Sequence, residues 1–330
     1  MTYEPLDPAT ATVGFIGLGN IGAKLAGSLQ RNGVTLMVLD LSPRAGEPFL
    51  AAGAAWADSP RYLAENCDVV ITCLPSPAAT AAVVEGADGV LDGVHAGTVW
   101  LEMSTTNEAE IRRLAGRMAD AGGVAVDCPV SGGCHRADTG NISIFAGCDR
   151  ATFERVLPLL TIMGRQVLHT GDVGSASTLK VMTNYLATAN LLSLTEALTT
   201  MAAAGLDLGT TYEAIRISSG NSFVHETESQ LILNGSRDIG FTMELVLKDI
   251  GLFQAIAERH GVPLELNPLM IDIFRDGAQR YGAGEWSDEI VRRLEEATGL
   301  SVTAPGFPAT LVDDEPERCG WEVRRLGNEP

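Results

Sequence analysis

The stretch VGFIGLGNIG, Val13 to Gly22, decides how the first half of this chain folds. Val13–Gly17 is a short apolar run suited to a buried strand, and Gly17-Leu18-Gly19-Asn20-Ile21-Gly22 follows it directly. Helical periodicity then runs through Ala23–Gln30, and Gly33 supplies a stop. A second apolar strand, Thr35–Leu39, ends at Asp40. Alone, a GxGxxG says little. Set between a strand and a helix, with an acid about twenty residues on, it is a dinucleotide fingerprint. The glycines permit a tight turn and let a pyrophosphate approach backbone N–H groups at the helix start. Asp40 is positioned to accept from both adenosine ribose hydroxyls and to repel a 2′-phosphate, so the expected cofactor is NAD.

Outward from this stretch the α/β rhythm continues. Asp68–Leu74 is a continuous apolar run of the kind found in parallel strands buried on both faces, and it ends in Pro75-Ser76-Pro77. Gly97–Leu101 reads as another strand, followed by Glu102-Met103-Ser104-Thr105-Thr106 and a helix start at Asn107–Glu110. Val124–Cys128 leads into Pro129-Val130-Ser131-Gly132-Gly133. Three strands ending in small and hydroxyl-bearing residues point to one crevice at their carboxyl ends, where such sheets place ligands.

The second half changes character. Ala176–Ala204 reads as one long helix stopped by Gly205, with an apolar face through Leu186, Leu191, Leu194 and Leu198. Lys180 lies one turn before Asn184 on it, so the ammonium and the amide share a face. A lysine in apolar surroundings releases its proton more readily, which suits proton transfer. Ser218–Phe223 is a loop, whose Asn221 and Ser222 serve either substrate or capping, as Phe241 serves either substrate or packing. Lys248-Asp249 opens a helical stretch, Ile250–His260. After Leu300 no periodicity remains, and the prolines and mixed charge read as an extended tail with Trp321 at its surface.

The domain layout expected is a flexible N-terminus (1–12), an α/β dinucleotide domain with a parallel sheet (13–173), a helical domain (174–300) and the tail (301–330). A net charge of −19 argues against nucleic acid or an anionic membrane surface as partner, and means that an anionic substrate needs a local positive pocket. Six cysteines without CxxC or zinc-ligand spacing read as reduced thiols in a cytoplasmic protein, with no metal site. The first twelve residues carry acids and prolines and no apolar run, unlike a signal peptide or anchor.

GFIGLGNIG (14–22), DCPVSGGCHRADTGN (127–141), GSASTLKVMTN (174–184) and KDIGL (248–252) occur in the order of the β-hydroxyacid dehydrogenase family, which the chain resembles from Val13 to Leu300. The family includes 3-hydroxyisobutyrate dehydrogenases and tartronate semialdehyde reductases. The resemblance implies a Rossmann domain followed by an all-helical domain joined by a long helix, in a homodimer or homotetramer. It implies that Gly17, Leu18, Gly19, Asn20, Ile21 and Gly22 hold NAD, with Leu74, Pro75 and Thr105 also at the cofactor. Ser131, Gly132 and Gly133 would hold the substrate carboxylate, Lys180 would move the proton and Asn184 would orient the substrate. Lys248 would sit near both nicotinamide and substrate.

Three departures from the family pattern stand out: Ile21 in place of methionine, Thr183 in place of the first of two asparagines, and the bulky Cys134-His135-Arg136. The last bears on substrate identity, as do the loop histidines His135 and His225, which more often face water. The activity expected is NAD-dependent interconversion of a small β-hydroxy acid and its semialdehyde. Its rivals are an imine reductase, a 6-phosphogluconate dehydrogenase-like enzyme and a non-catalytic dinucleotide-binding module. Lys180 speaks against the first and the last.

Overall fold

A computed structural model describes residues 4–324. The chain divides into two compact units, one of Met1–Lys180 with Asp313–Pro330 and one of Val181–Val312.

The first unit opens with β1 (Thr12–Ile16), α1 (Gly22–Arg31), β2 (Thr35–Leu39), α2 (Pro43–Ala51) and β3 (Ala55–Trp56). Next come α3 (Pro60–Asn66), β4 (Val69–Thr72), α4 (Pro77–Glu85), α5 (Val90–Gly93), β5 (Val99–Glu102) and α6 (Glu108–Asp120). It continues with β6 (Val124–Asp127), β7 (Val130–Ser131), α7 (Gly133–Asp138), β8 (Ile142–Gly147), α8 (Arg150–Met163) and β9 (Gly164–Gly171). A last strand, β10 (Trp321–Glu322), comes from the end of the chain. The sheet order is β10-β9-β8-β6-β5-β4-β1-β2-β3, with β7 paired to β8 off this path. Its ladders are parallel except β6–β8 and β7–β8. All four residues of β4 and of β5 are buried, as a strand covered on both faces requires. Alternate residues enter different clusters: Val69 and Ile71 pack with Phe15 and Leu25, while Val70 packs with Trp100 and Leu114.

Into the second unit runs α9 (Ser175–Ala203), followed by α10 (Leu208–Arg216), α11 (Phe223–Asn234), α12 (Met243–Arg259), α13 (Leu266–Tyr281), a 3-10 turn at Ser287–Val291 and α14 (Arg292–Thr298). Leu191, Leu194 and Leu198 join its core with Ile232, Met243 and Phe274. Leu186, expected on the same face, is 49% exposed. It lies five residues before Leu191, roughly 140° around the helix. The helix carrying Lys248 begins at Met243 rather than near Ile250, because Thr242 caps it through Leu245 N (3.4 Å).

Both chain ends differ from expectation. Leu6 N donates to Arg155 O at 2.8 Å and Thr12 N to Asp68 at 2.9 Å, so residues 4–12 are tied down; Met1–Tyr3 lie outside the described residues. The segment after Val312 belongs to the first unit. There β10 pairs in parallel with β9, and the Arg165 guanidinium covers the Trp321 ring at 4.6 Å. Residues 325–330 of the expected tail lie outside the described residues.

Candidate active site

The glycine loop meets the demands of a dinucleotide, and its glycines have separate reasons. Gly17 has φ +98°, and a Cβ there would lie 2.4 Å from Cys73 O. One at Gly22 would lie 2.0 Å from Gly17 O, whereas one at Gly19 would meet nothing within 4 Å. Gly17 and Gly22 therefore make the turn, and Gly19 leaves an open face at the start of α1. Asp40 follows β2 and accepts from Leu18 N (2.7 Å) and Ser42 N (2.8 Å). A carboxylate has about four acceptor positions, so these two bonds aim it without exhausting it. These residues fit the adenosine half of NAD.

Beside this loop, Leu74 and Pro75 follow β4, and Thr105 follows β5. A buried network ties the ends of these two strands together. Glu102, fully buried, accepts from Thr72 Oγ1 (2.6 Å) and Ser104 N (2.8 Å). Trp100 Nε1 donates to Thr72 Oγ1 at 2.8 Å, and Leu74 N donates to Ser104 Oγ at 2.7 Å. Burial raises the Glu102 carboxyl above its ordinary range, against these donors. Nothing local in the sequence marks Glu102 as more than the end of a strand.

The Ser-Gly-Gly turn and the lysine meet within the first unit. Ser131 pairs with Ser143 across the β7–β8 ladder, and Gly132 and Gly133 take φ +135° and +84°, a reversal that favours glycine. Lys180, 8% exposed, donates from Nζ to Ser131 Oγ at 3.3 Å. Asp127 sets this geometry. It ends the strand that leads to Ser131, and it accepts from Gly174 N (2.9 Å) and Ser177 N (2.8 Å) at the start of α9. It thus satisfies donors that a helix start leaves open and fixes Lys180 relative to its own strand. Burial pushes its carboxyl up to about 6, partly offset by those two N–H groups.

In the second unit Asn184 Nδ2 donates to Asp249 Oδ2, and Lys248 Nζ lies 3.0 Å from Asp249 Oδ1. Asp249 is 1% exposed, so the Lys-Asp pair is not the solvated face that adjacent helical charges usually make. Its carboxylate joins the two residues singled out from the sequence, and only its burial reveals that role.

Other candidates resolve differently. His225 is not a water-facing loop histidine: it is buried in the first turn of α11, with Nε2 2.9 Å from Tyr212 O, and burial lowers its pKa. Ser222 caps the same helix through His225 N (3.0 Å), and Asn221 bonds Glu226 at 2.7 Å, so both serve the helix start. Phe241 packs against the second core. His135 and Arg136 lie in α7, packed against Gly133 and Gly132 respectively, and burial lowers the His135 pKa. Among the described residues no cluster of three or more His, Cys, Asp or Glu is arranged to hold a metal, and no helix is long and apolar enough to cross a membrane.

Residues 12–171 match the NAD binding domain of 6-phosphogluconate dehydrogenase, and residues 174–294 match the NAD-binding domain of NADP-dependent 3-hydroxyisobutyrate dehydrogenase. The 2-(hydroxymethyl)glutarate dehydrogenase of Eubacterium barkeri is 34% identical over 88% of this chain and 97% of its own length. The chain belongs to the β-hydroxyacid dehydrogenase family. Mouse mitochondrial 3-hydroxyisobutyrate dehydrogenase is 33% identical over 80% of this chain and 81% of that protein. A crystal structure of 3-hydroxyisobutyrate dehydrogenase from Salmonella typhimurium superposes with a TM-score of 0.79 at 27% identity, covering 86% of this chain and 99% of that one. As a member of the β-hydroxyacid dehydrogenase family the chain is a nicotinamide-dependent oxidoreductase, and hydride transfer on a hydroxy acid fits its two parts.

Proposed function

We propose that the protein interconverts a small β-hydroxy acid and its semialdehyde with NAD, and that Lys180 moves the proton. The observation that carries this is the buried Lys180 amine 3.3 Å from Ser131 Oγ, beside the Ser-Gly-Gly turn. Bound NAD supplies the hydride acceptor. Ser131 and the Gly132 and Gly133 N–H groups hold the substrate carboxylate. Lys180 takes the hydroxyl proton as the carbinol C–H bond gives up its hydride, and it returns that proton in the reverse direction. Asn184, one turn along the same helix, orients the hydroxyl. Lys248, aimed by Asp249, supplies positive charge for an anionic substrate in a chain of net charge −19. Gly17 to Gly22, Asp40, Leu74, Pro75 and Thr105 line the dinucleotide on this reading, with Lys248 near the nicotinamide.

The names of the Eubacterium barkeri and mouse relatives describe acids with the alcohol one carbon beyond the α-carbon, which supports the β-hydroxy class. Initial rates with NAD⁺ across 3-hydroxyisobutyrate, serine, 2-(hydroxymethyl)glutarate and sulfonate or aryl analogues test it. Saturable nicotinamide reduction with at least one is expected, and its absence with all of them refutes the reading.

We further infer a homodimer or homotetramer in the cytoplasm. A groove of about 870 Å³ along α9 and α10, lined by Ala197, Met201, Leu206 and Ile215, supports self-association, with Leu206 56% and Ile217 78% exposed. All six cysteines are free, which supports a reducing compartment. Light scattering checks the first inference: a monomer at working concentration would end it.

A further inference from the structure

The six-residue helix α7 begins at the turn assigned to the substrate carboxylate and ends at Asp138. A helix this short cannot hold itself and takes its position from what grips it. Of its residues only Ala137 is fully buried, so apolar packing grips it weakly. Polar contacts grip its far end from two directions. From α1, Lys24 Nζ lies 3.2 Å from Asp138 Oδ1, and Arg31 donates to Asp138 O at 2.6 Å. From the C-terminal segment, Asp313 accepts from Thr139 Oγ1 and from Asn141 Nδ2 (2.8 Å), and Glu315 O accepts from Asn141 Nδ2 at 2.8 Å.

The same segment is pinned along its length. Glu317 accepts from Arg31 Nε (3.1 Å) and Asn32 Nδ2 (2.9 Å), so one guanidinium holds both the segment and the end of α7. Gly320 N donates to Thr161 O at 2.8 Å, and a Cβ there would lie 2.0 Å from Gly164 O. Farther on, Glu322 pairs with Arg150 at 2.5 Å. These contacts all fall within the first unit. The family match ends at residue 294, so the segment's own Asp313, Glu315, Glu317, Gly320 and Glu322 lie outside it.

We propose that the C-terminal segment is a strap, and that Asp313 is a positioning residue which acts through Thr139, Asn141 and α7 to fix the Ser131–Gly133 turn for substrate. Its link to substrate rests on the function proposed above; its link to α7 does not. Asp313 touches no reacting atom on this assignment. It sets the angle at which the turn's N–H groups present themselves, and so governs binding of the acid rather than the proton step.

The test compares the full-length enzyme with Asp313→Ala and, as a control in the same segment, Glu322→Ala. Hydrogen exchange on the ligand-free proteins should show faster exchange over residues 133–141 in Asp313→Ala, with melting temperature nearly unchanged. KM for the best hydroxy acid of the rate screen should rise about fivefold or more, with kcat within twofold and the Kd for NAD unchanged. Asp313→Glu should recover part of the KM, because it restores the acceptor. Glu322→Ala should leave KM within twofold. Unchanged exchange over 133–141 overturns the strap whatever the substrate proves to be. Faster exchange with an unchanged KM overturns the positioning role, and an equal KM rise in Glu322→Ala overturns the assignment to Asp313. A wild-type enzyme that turns over no hydroxy acid defeats the functional reading instead and leaves the exchange comparison standing on its own.

Discussion

Asp127 in the first unit and Asp288 in the second are both fully buried aspartates. Asp127 accepts two backbone N–H bonds, whereas neither oxygen of Asp288 receives an N–H or hydroxyl donor, and the group that interacts with it is a second carboxyl, Glu228. The nearby Arg237 guanidinium, which bridges Glu289 (2.9 Å) and Glu295 (2.6 Å), lowers Asp288, but burial and Glu228 outweigh it. The first carboxyl holds a helix start and a lysine in place. The second must keep a proton to stay buried, with burial raising both groups and the Glu228 carboxyl adding to the rise at Asp288. Burial raises both carboxyls, so both tie stability to pH, but only Asp127 has the backbone donors through which it positions chemistry.

The largest effect expected from this contrast is on catalysis. Lys180→Ala should lower kcat by about 10²–10⁴-fold while NAD still binds. Lys180→Arg should not recover it, since a guanidinium keeps its proton. Asn184→Ala should cost less, through lost orientation. Single-turnover kinetics and NAD titration together check this, and near-normal kcat in Lys180→Ala would mean that the proton takes another route.

A smaller effect concerns Asp40. Its oxygens are aimed by Leu18 N and Ser42 N, and it should favour NAD over NADP by about tenfold or more in kcat/KM, about 1.4 kcal/mol. Equal rates with NADP would show that Arg44, in the first turn of α2, offsets the carboxylate.

The smallest effect is on stability. For Glu228 and Asp288 the folded-state pKa is raised, so the folded protein keeps a proton that the unfolded chain has released. Their stabilisation is complete below the ordinary carboxylate range of about 4, and it drains away as pH rises toward and through neutrality. Asp288→Asn removes one titrating group and supplies a donor for Glu228. Relative to wild type, its melting temperature should gain a few °C between pH 5 and pH 8, on the order of 1 kcal/mol. A constant difference across that range would show that the pair does not share a proton.

How legible these features were depends on how local they are. The glycine loop, Asp40 and the Lys180–Asn184 spacing announce themselves because turn geometry and helix period act over a few residues. Glu102, Asp127 and Asp249 do not. Each is an ordinary acid until strand pairing or helix packing removes it from water, and that is set by residues 30 to 65 positions away in the chain. The C-terminal strap was illegible for another reason. It docks through side-chain and backbone hydrogen bonds and a two-residue strand, so it has no hydrophobic period to read. Leu186 misled because counting leucines is not the same as tracking their angle.

The three glycines of the opening loop would separate cleanly in a deep mutational scan. Scored by cellular abundance, alanine at Gly17 or Gly22 should be depleted, since a methyl group there runs into backbone 2.4 Å or 2.0 Å away. Alanine at Gly19 should pass unnoticed, because its methyl meets no protein atom within 4 Å. Scored by growth that depends on turnover, all three should fall. The position where the two scores diverge marks, within one motif, where selection for a fold hands over to selection for a ligand.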